Sequence, residues 1–183
     1  MPSAKLQQMG GAPNTHPLGE TYYSQTAFRY GAYIAKFRVK PVSGALTSLT
    51  GIAVETSGCP DALREEVRRQ MIETGGTWAL EVQLCTDLDT MPVEDATVQW
   101  DEDASRFHTV ATLEMPPQIA CENGVTNAAD EALAFSPWHG LAAHRPLGGI
   151  NRARRETYAK SAAYRGRVNG CPMREPTTLA EVA

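Results

Sequence analysis

Long apolar runs are missing from this sequence. No stretch approaches the ~18 consecutive apolar residues that a membrane-spanning helix requires, so no membrane partner is expected. The opening MPSAKLQQMGGAPNTHPLGE has no apolar core, which argues against a secretory signal. Cysteine is scarce and scattered: Cys59, Cys85, Cys121 and Cys171 form no C-x-x-C pair. Structural zinc is therefore not expected, and a reducing cytoplasm is the simplest setting. Positive charge is not in excess. The formal charge of −4 gives no electrostatic case for binding nucleic acid. The acidic run Asp101-Glu102-Asp103 lacks the EF-hand spacing and is followed by Arg106, so a solvated turn is expected there rather than a calcium loop. Internal repeats and low-complexity tracts are absent.

What remains is an ordinary globular composition, 42% hydrophobic and 21% charged over 183 residues, which fits one domain. Residues 1–17 are rich in Gly, Pro, Ser, Asn and Gln and read as a flexible arm. His16, in Thr15-His16-Pro17-Leu18, reads as a loop histidine without chemistry. From Ala32 to Lys40 the residues alternate. Tyr33, Ala35, Phe37 and Val39 share one face; Ile34, Lys36, Arg38 and Lys40 share the other, which reads as solvated. This predicts a half-buried strand ended by Pro41. Residues 42–55 are Ser/Thr/Gly-rich and suggest a short hairpin.

A helix is predicted to open at Cys59-Pro60-Asp61, with carboxylates near its positive end and an apolar stripe at Leu63, Val67 and Met71. Gly75-Gly76 stops it. The second strand, Trp78 to Leu84, should bury Trp78, Leu80, Val82 and Leu84 and turn Glu81 and Gln83 outward. A third runs from Phe107 to Met115. Both of its faces are partly apolar, as for a strand covered on both sides. His108 reads as a wall histidine. A short helix is expected over 127–133.

The stretch from Ala134 to Asn169 combines an aromatic-rich loop, a Gly-Gly pair and a basic helix. Arg154 and Tyr158, four residues apart, share one helical face. A free phenol titrates near ~10, a nearby cation favours the phenolate, and a phenolate can bind ferric iron. By spacing alone, this pair reads first as the solvated couple found on many surface helices.

Ala134-Phe135-Ser136-Pro137, then Arg154-x-x-x-Tyr158, then Arg165, resembles the proximal haem segment of catalases. The longer run Pro137-Trp138-His139 … His144-Arg145-Pro146-Leu147-Gly148-Gly149-Ile150-Asn151-Arg152-Ala153-Arg154 is similar to the short catalase-related branch. Leu18 to Gln25 resembles the segment before a barrel strand of those proteins, and PVEDATVQW … FHTVATLEMPPQ their last strand and its approach. Typical catalases carry Phe two residues before the tyrosine, where this chain has Glu156. After the tyrosine they carry Pro-Asp-Thr, where this chain has Ala159-Lys160-Ser161.

The resemblance implies an α+β fold, a partial antiparallel β-barrel of catalase type with a C-terminal proximal haem helix. It divides the chain into a flexible arm (1–17), partial barrel strands with an inserted helix (18–118), a haem-binding loop and helix (119–170) and a tail (171–183). It implies ferric haem b ligated by Tyr158, with Arg154 stabilising the phenolate, Arg165 reaching a propionate, and Phe135 and Ile150 against the macrocycle. Trp138 and His139 would anchor the loop or edge the haem. Arg145 would assist a propionate. Arg152 and Arg155 would face away from the Arg154–Tyr158 side. The implied activity is on hydrogen peroxide or an organic hydroperoxide. The alternative is a non-catalytic haem-binding or structural subunit completing a partner's barrel.

The family's distal histidine lies upstream of the matching region, so no distal base is assigned. The chain would be a fragment, one half of a split barrel, or a reduced relative. An incomplete barrel leaves strand edges unpaired and exposes barrel-facing Phe37, Trp78 and Leu80. Self-association, or a partner chain carrying the distal half, is therefore expected.

Overall fold

The computed structural model describes residues 13–120 and 132–170. The chain is mixed α+β, built on an antiparallel sheet that does not close. Its strands are β1 (Tyr22–Tyr23), β2 (Phe28–Tyr30), β3 (Tyr33–Pro41), β4 (Gly76–Leu84) and β5 (Phe107–Met115). Its helices are α1 (Gly44–Thr47), α2 (Ala62–Glu73) and α3 (Gly148–Asn169), with 3-10 turns at Pro17–Gly19 and Ala142–His144. The sheet order is β1-β3-β4-β5, with β2 added to β3 as a tight antiparallel hairpin in which Tyr30 opposes Tyr33. The short helix predicted over 127–133 falls largely outside the described residues, as do the tail and the start of the arm.

The residues group into two compact units, and β3, β4 and β5 each contribute residues to both. The first unit comprises, among the described residues, 13–22, 39–79 and 111–120. Its core is Leu46, Met71 and Trp78, packed by Leu18, Val39, Leu49 and Val67. Here the stripe of α2 delivers Met71 and Val67 to the interior, as its i, i+4 spacing requires. The helix ends where Thr74 caps it and Gly75 follows at φ 61°. A Cβ at Gly75 would lie 2.2 Å from the Met115 carbonyl oxygen, so only glycine fits. Residues 42–55 form no hairpin. Ser43 and Gly44 start α1 instead, because its one turn seats Leu46, fully buried, against Trp78 and Met71. Trp78 is likewise buried rather than barrel-facing and exposed.

The second unit comprises, among the described residues, 23–38, 80–110 and 132–170. Ala27, Met91 and Trp100 form its core, with Ile34, Cys85 and Val93 against them. The polar face expected to be solvated is occupied. The Arg38 guanidinium pairs with Glu81 and Glu102 and stacks 3.9 Å over the Phe107 ring. Burial pulls the Arg38 pKa down, but the hydrogen bond and charge of Glu81, with Tyr23 and Glu102, outweigh it and leave Arg38 above its ordinary value. Lys36 donates to the Val98 carbonyl at 3.1 Å and lies over Trp100; burial lowers its pKa, partly offset by Asp95. Gln83, expected outside, is buried. Its amide donates to the carbonyls of Trp100, Asp101 and Ser105, binding the 100–105 turn to β4. That turn is the acidic run, and Asp101 closes it by accepting from the Asp103 amide.

β5 departs most from its reading. It was expected to be covered on both faces, yet every residue after Phe107 is exposed, His108 included. It ends the sheet order, so among the described residues nothing pairs with its outer edge. Phe37 and Leu80 are only partly buried and, with Phe28, Val82 and Val110, wall an apolar cavity of about 210 Å³.

Candidate haem-facing site on the C-terminal helix

The loop before α3 is fixed by backbone. Arg29 donates to the Arg145 carbonyl, Gly31 to Ala143, and Leu147 to Ala27, so residues 143–147 run along β2 and the residues before it. Pro146 bridges Phe28 in antiparallel fashion, and His144 stacks on Tyr30 with centroids 5.9 Å apart.

The helix then starts at Gly148, φ 83°, where a Cβ would lie 2.6 Å from the Val93 carbonyl oxygen. This explains the first glycine of the Gly-Gly pair: close backbone approach and a left-handed dihedral coincide there. The Glu94 carboxylate caps the helix, accepting from the Gly149 amide at 2.9 Å and from both terminal nitrogens of Arg152. The Arg152 hydrogen bond, then its charge and the Gly149 amide, hold Glu94 below the usual carboxylate range. At the far end Gly170, φ 66°, supplies the left-handed cap.

Asn151 is fully buried one turn into α3. Its Nδ2 donates to the carbonyls of Ala27 (3.2 Å) and Leu147 (2.8 Å). Its Oδ1 accepts from Thr26 and from Arg154, both at 3.2 Å. Arg154 extends the network to Thr26 Oγ1 and Gln25 Oε1. The Arg154 guanidinium is thus held on the Gln25–Thr26 segment and makes no hydrogen bond to Tyr158.

Tyr158 lines an open cleft of about 300 Å³ with Phe135, Trp138, His139, Arg155 and Ala162. It is 43% exposed, and its hydroxyl has no hydrogen-bond partner among the described residues. Phe135 and Ile150 are also exposed, at 65% and 40%. Arg165 donates to the Leu133 carbonyl at 3.1 Å, tying α3 to the start of the loop that carries Phe135. Of the five residues singled out from the sequence, the structure therefore places Phe135 and Tyr158 in one cleft, with Arg165 bonded next to it. Arg154 faces Asn151, and Ile150 stands on the exposed surface one turn before Arg154. Glu156 does not engage either arginine beside the phenol; it pairs with Lys160 at 3.6 Å.

One expectation about this region changes and another sharpens. Arg155 does not face away from Tyr158. It lies in the same cleft, with its guanidinium 5.2 Å from the Trp138 ring centre. Residues three apart on a helix are neighbours, so the Arg155–Tyr158 spacing already contained this. Trp138 anchors the loop to the helix itself: its indole donates to the Asn151 carbonyl at 2.7 Å. Asn151, Glu94 and Thr26 were missed. Only the placement of an asparagine in the first turn of a basic helix hinted at the first of them.

No family model matches the chain, and no curated protein sequence does. Solved structures do match. A fungal catalase superposes with a TM-score of 0.62 at 17% identity, over 86% of this chain and 34% of the catalase. The chain spans about a third of that protein's length, and the likeness establishes a catalase-like fold. No helix among the described residues is long and apolar enough to cross a membrane, and none of their His, Cys, Asp and Glu side chains cluster as a metal site.

Proposed function

We propose that this chain provides the proximal, haem-bearing side of a catalase-type protein acting on hydrogen peroxide or an organic hydroperoxide. Its open sheet would then be part of a catalase-type barrel. The observation that carries the reading is the Tyr158 hydroxyl: without a hydrogen-bond partner among the described residues, on an open cleft, at the position the proximal-segment resemblance gives to the iron ligand, within a catalase-like fold.

The residues present suit one face of a haem. Tyr158 offers an oxygen with no competing partner among the described residues, and Phe135 in the same cleft offers exposed apolar surface. When bound, ferric haem b supplies the redox-active iron that peroxide chemistry needs. Tyr158 as phenolate is an anionic ligand, which favours the ferric state. Arg165 offers a guanidinium for a charge-assisted bond to a propionate. Arg154 holds positive charge one turn before the phenol while Gln25, Thr26 and Asn151 fix its position. No general acid-base residue is assigned on the substrate side. Such a group is typically worth ~10²–10⁴-fold, so this chain alone should turn over peroxide slowly.

Hemin titration tests the assignment. The wild-type chain should give a saturable Soret band and a ferric tyrosinate spectrum, and Tyr158→Phe should lose both. An unchanged spectrum in that variant removes Tyr158 as ligand.

A second reading rests on β5. An exposed strand edge fits a subunit that completes a sheet with another chain, either a second copy or a partner carrying the distal half.

A further inference from the structure

Arg152, Arg154 and Arg165 of α3 are each held by a polar partner: the Glu94 carboxylate, the Gln25–Thr26–Asn151 group and the Leu133 carbonyl. Arg155 differs. Among the described residues its guanidinium makes no hydrogen bond and no ion pair, and it lies over the Trp138 ring, 5.2 Å from the ring centre. That ring is itself fixed, because its indole donates to the carbonyl of the fully buried Asn151 at 2.7 Å. A guanidinium laid over an aromatic ring uses its face and leaves its N–H edge open. The open edge is a planar fork of donors that matches the two oxygens of a carboxylate.

The cleft around Arg155 selects the sign of what enters. No Asp or Glu stands among the described residues of its wall. Glu156, the next residue, pairs instead with Lys160 at 3.6 Å. The wall thus carries positive charge without a matching carboxylate, which favours an anion. Phe135, Ala159 and Ala162 add apolar surface. An apolar body with an acid at its edge suits both features. We propose that Arg155 is the carboxylate anchor of this cleft, taking a propionate of the porphyrin through a two-pronged charge-assisted bond. The proposal rests on the haem reading for the body of the ligand, but not on iron. The proximal-segment resemblance gives Arg155 no part in binding; the assignment comes from its stacking on Trp138 and its place beside Tyr158, three residues on. Haem b carries two propionates, so Arg155 adds to Arg165 and does not replace it.

Metal-free protoporphyrin IX is the probe, because it keeps both propionates and has no iron for Tyr158 to bind. Its fluorescence is followed as the full chain is added. The wild-type chain should bind it saturably, and added salt should weaken the complex. The dimethyl ester, the same body without charge, should bind about tenfold less tightly, the scale of one charge-assisted pair. Arg155→Gln should lose most of the preference for acid over ester and most of the salt dependence. Arg167→Gln, the same change of charge in the last turn of α3, should bind as the wild type does. No saturable binding, equal affinity for acid and ester, an unchanged preference in Arg155→Gln, or an equal loss in Arg167→Gln would each overturn the proposal. Failure of Tyr158 as the iron ligand would show in the hemin spectra and would leave the porphyrin results standing.

Discussion

Asn151 uses both ends of its amide, and its partners lie far away in sequence: Thr26 and Ala27 are 125 and 124 residues distant. Replacing it with alanine leaves buried partners unmatched and takes from Arg154 one of its three hydrogen-bond partners. Each orphaned group costs about 1–3 kcal/mol. Asn151→Ala should therefore lower stability by ~2 kcal/mol or more, read as a shift in the urea midpoint at unchanged slope. This is also where sequence reading stops. The motif containing Asn151 was visible, but burial of a polar side chain depends on partners that periodicity does not reveal. Gln83 and Arg38 were placed in solvent for the same reason: alternation says which face a side chain takes, not what covers that face. Tyr158 differs, because its position on the helix was legible at once and only its surroundings were not.

Among the elements, strands and helices were read well where a single face is buried. β3 and β4 lie within a residue or two of their expected limits, and α2 starts and stops where its capping residues and glycines place it. α1 was missed because one turn is too short to show a period. α3 was recognised, but what holds its first turn was not: the clamp comes from Glu94, 55 residues before Gly149. That clamp has a pH signature. The folded-state pKa of Glu94 is depressed, so its contribution is complete above the ordinary glutamate range and is lost as pH falls through the depressed value. The pair is fully exposed, so the effect should be small and reduced by salt. Thermal midpoints of wild type and Glu94→Gln should differ at neutral pH and converge as pH falls below the ordinary glutamate range. Parallel curves would mean that the carboxylate does not hold the helix start.

For the molecule as a whole, the open sheet is the governing fact. Among the described residues β5 presents an unpaired edge with Val110, Leu113 and Met115 exposed, and native proteins seldom leave such an edge bare. The chain should therefore associate at micromolar concentration, as measured by size exclusion with light scattering. Leu113→Lys should shift the mass toward monomer, since lysine on an edge strand discourages pairing. A well-folded wild-type monomer would exclude both the self-pairing and the need for it. A catalase-like fold was legible from the proximal motif; the exposure of β5 was not, because a strand apolar on both faces has the same sequence whether or not its cover is present.

The tether that holds Arg154 to Gln25 and Thr26 links the phenol's charged neighbour to a segment 129 and 128 residues earlier in the chain. On the proposed function, random mutagenesis scored by the colour of colonies supplied with haem should return two clusters of altered hue, one on the C-terminal helix and one at positions 25 and 26. Suppressors of damage in either cluster should map to the other.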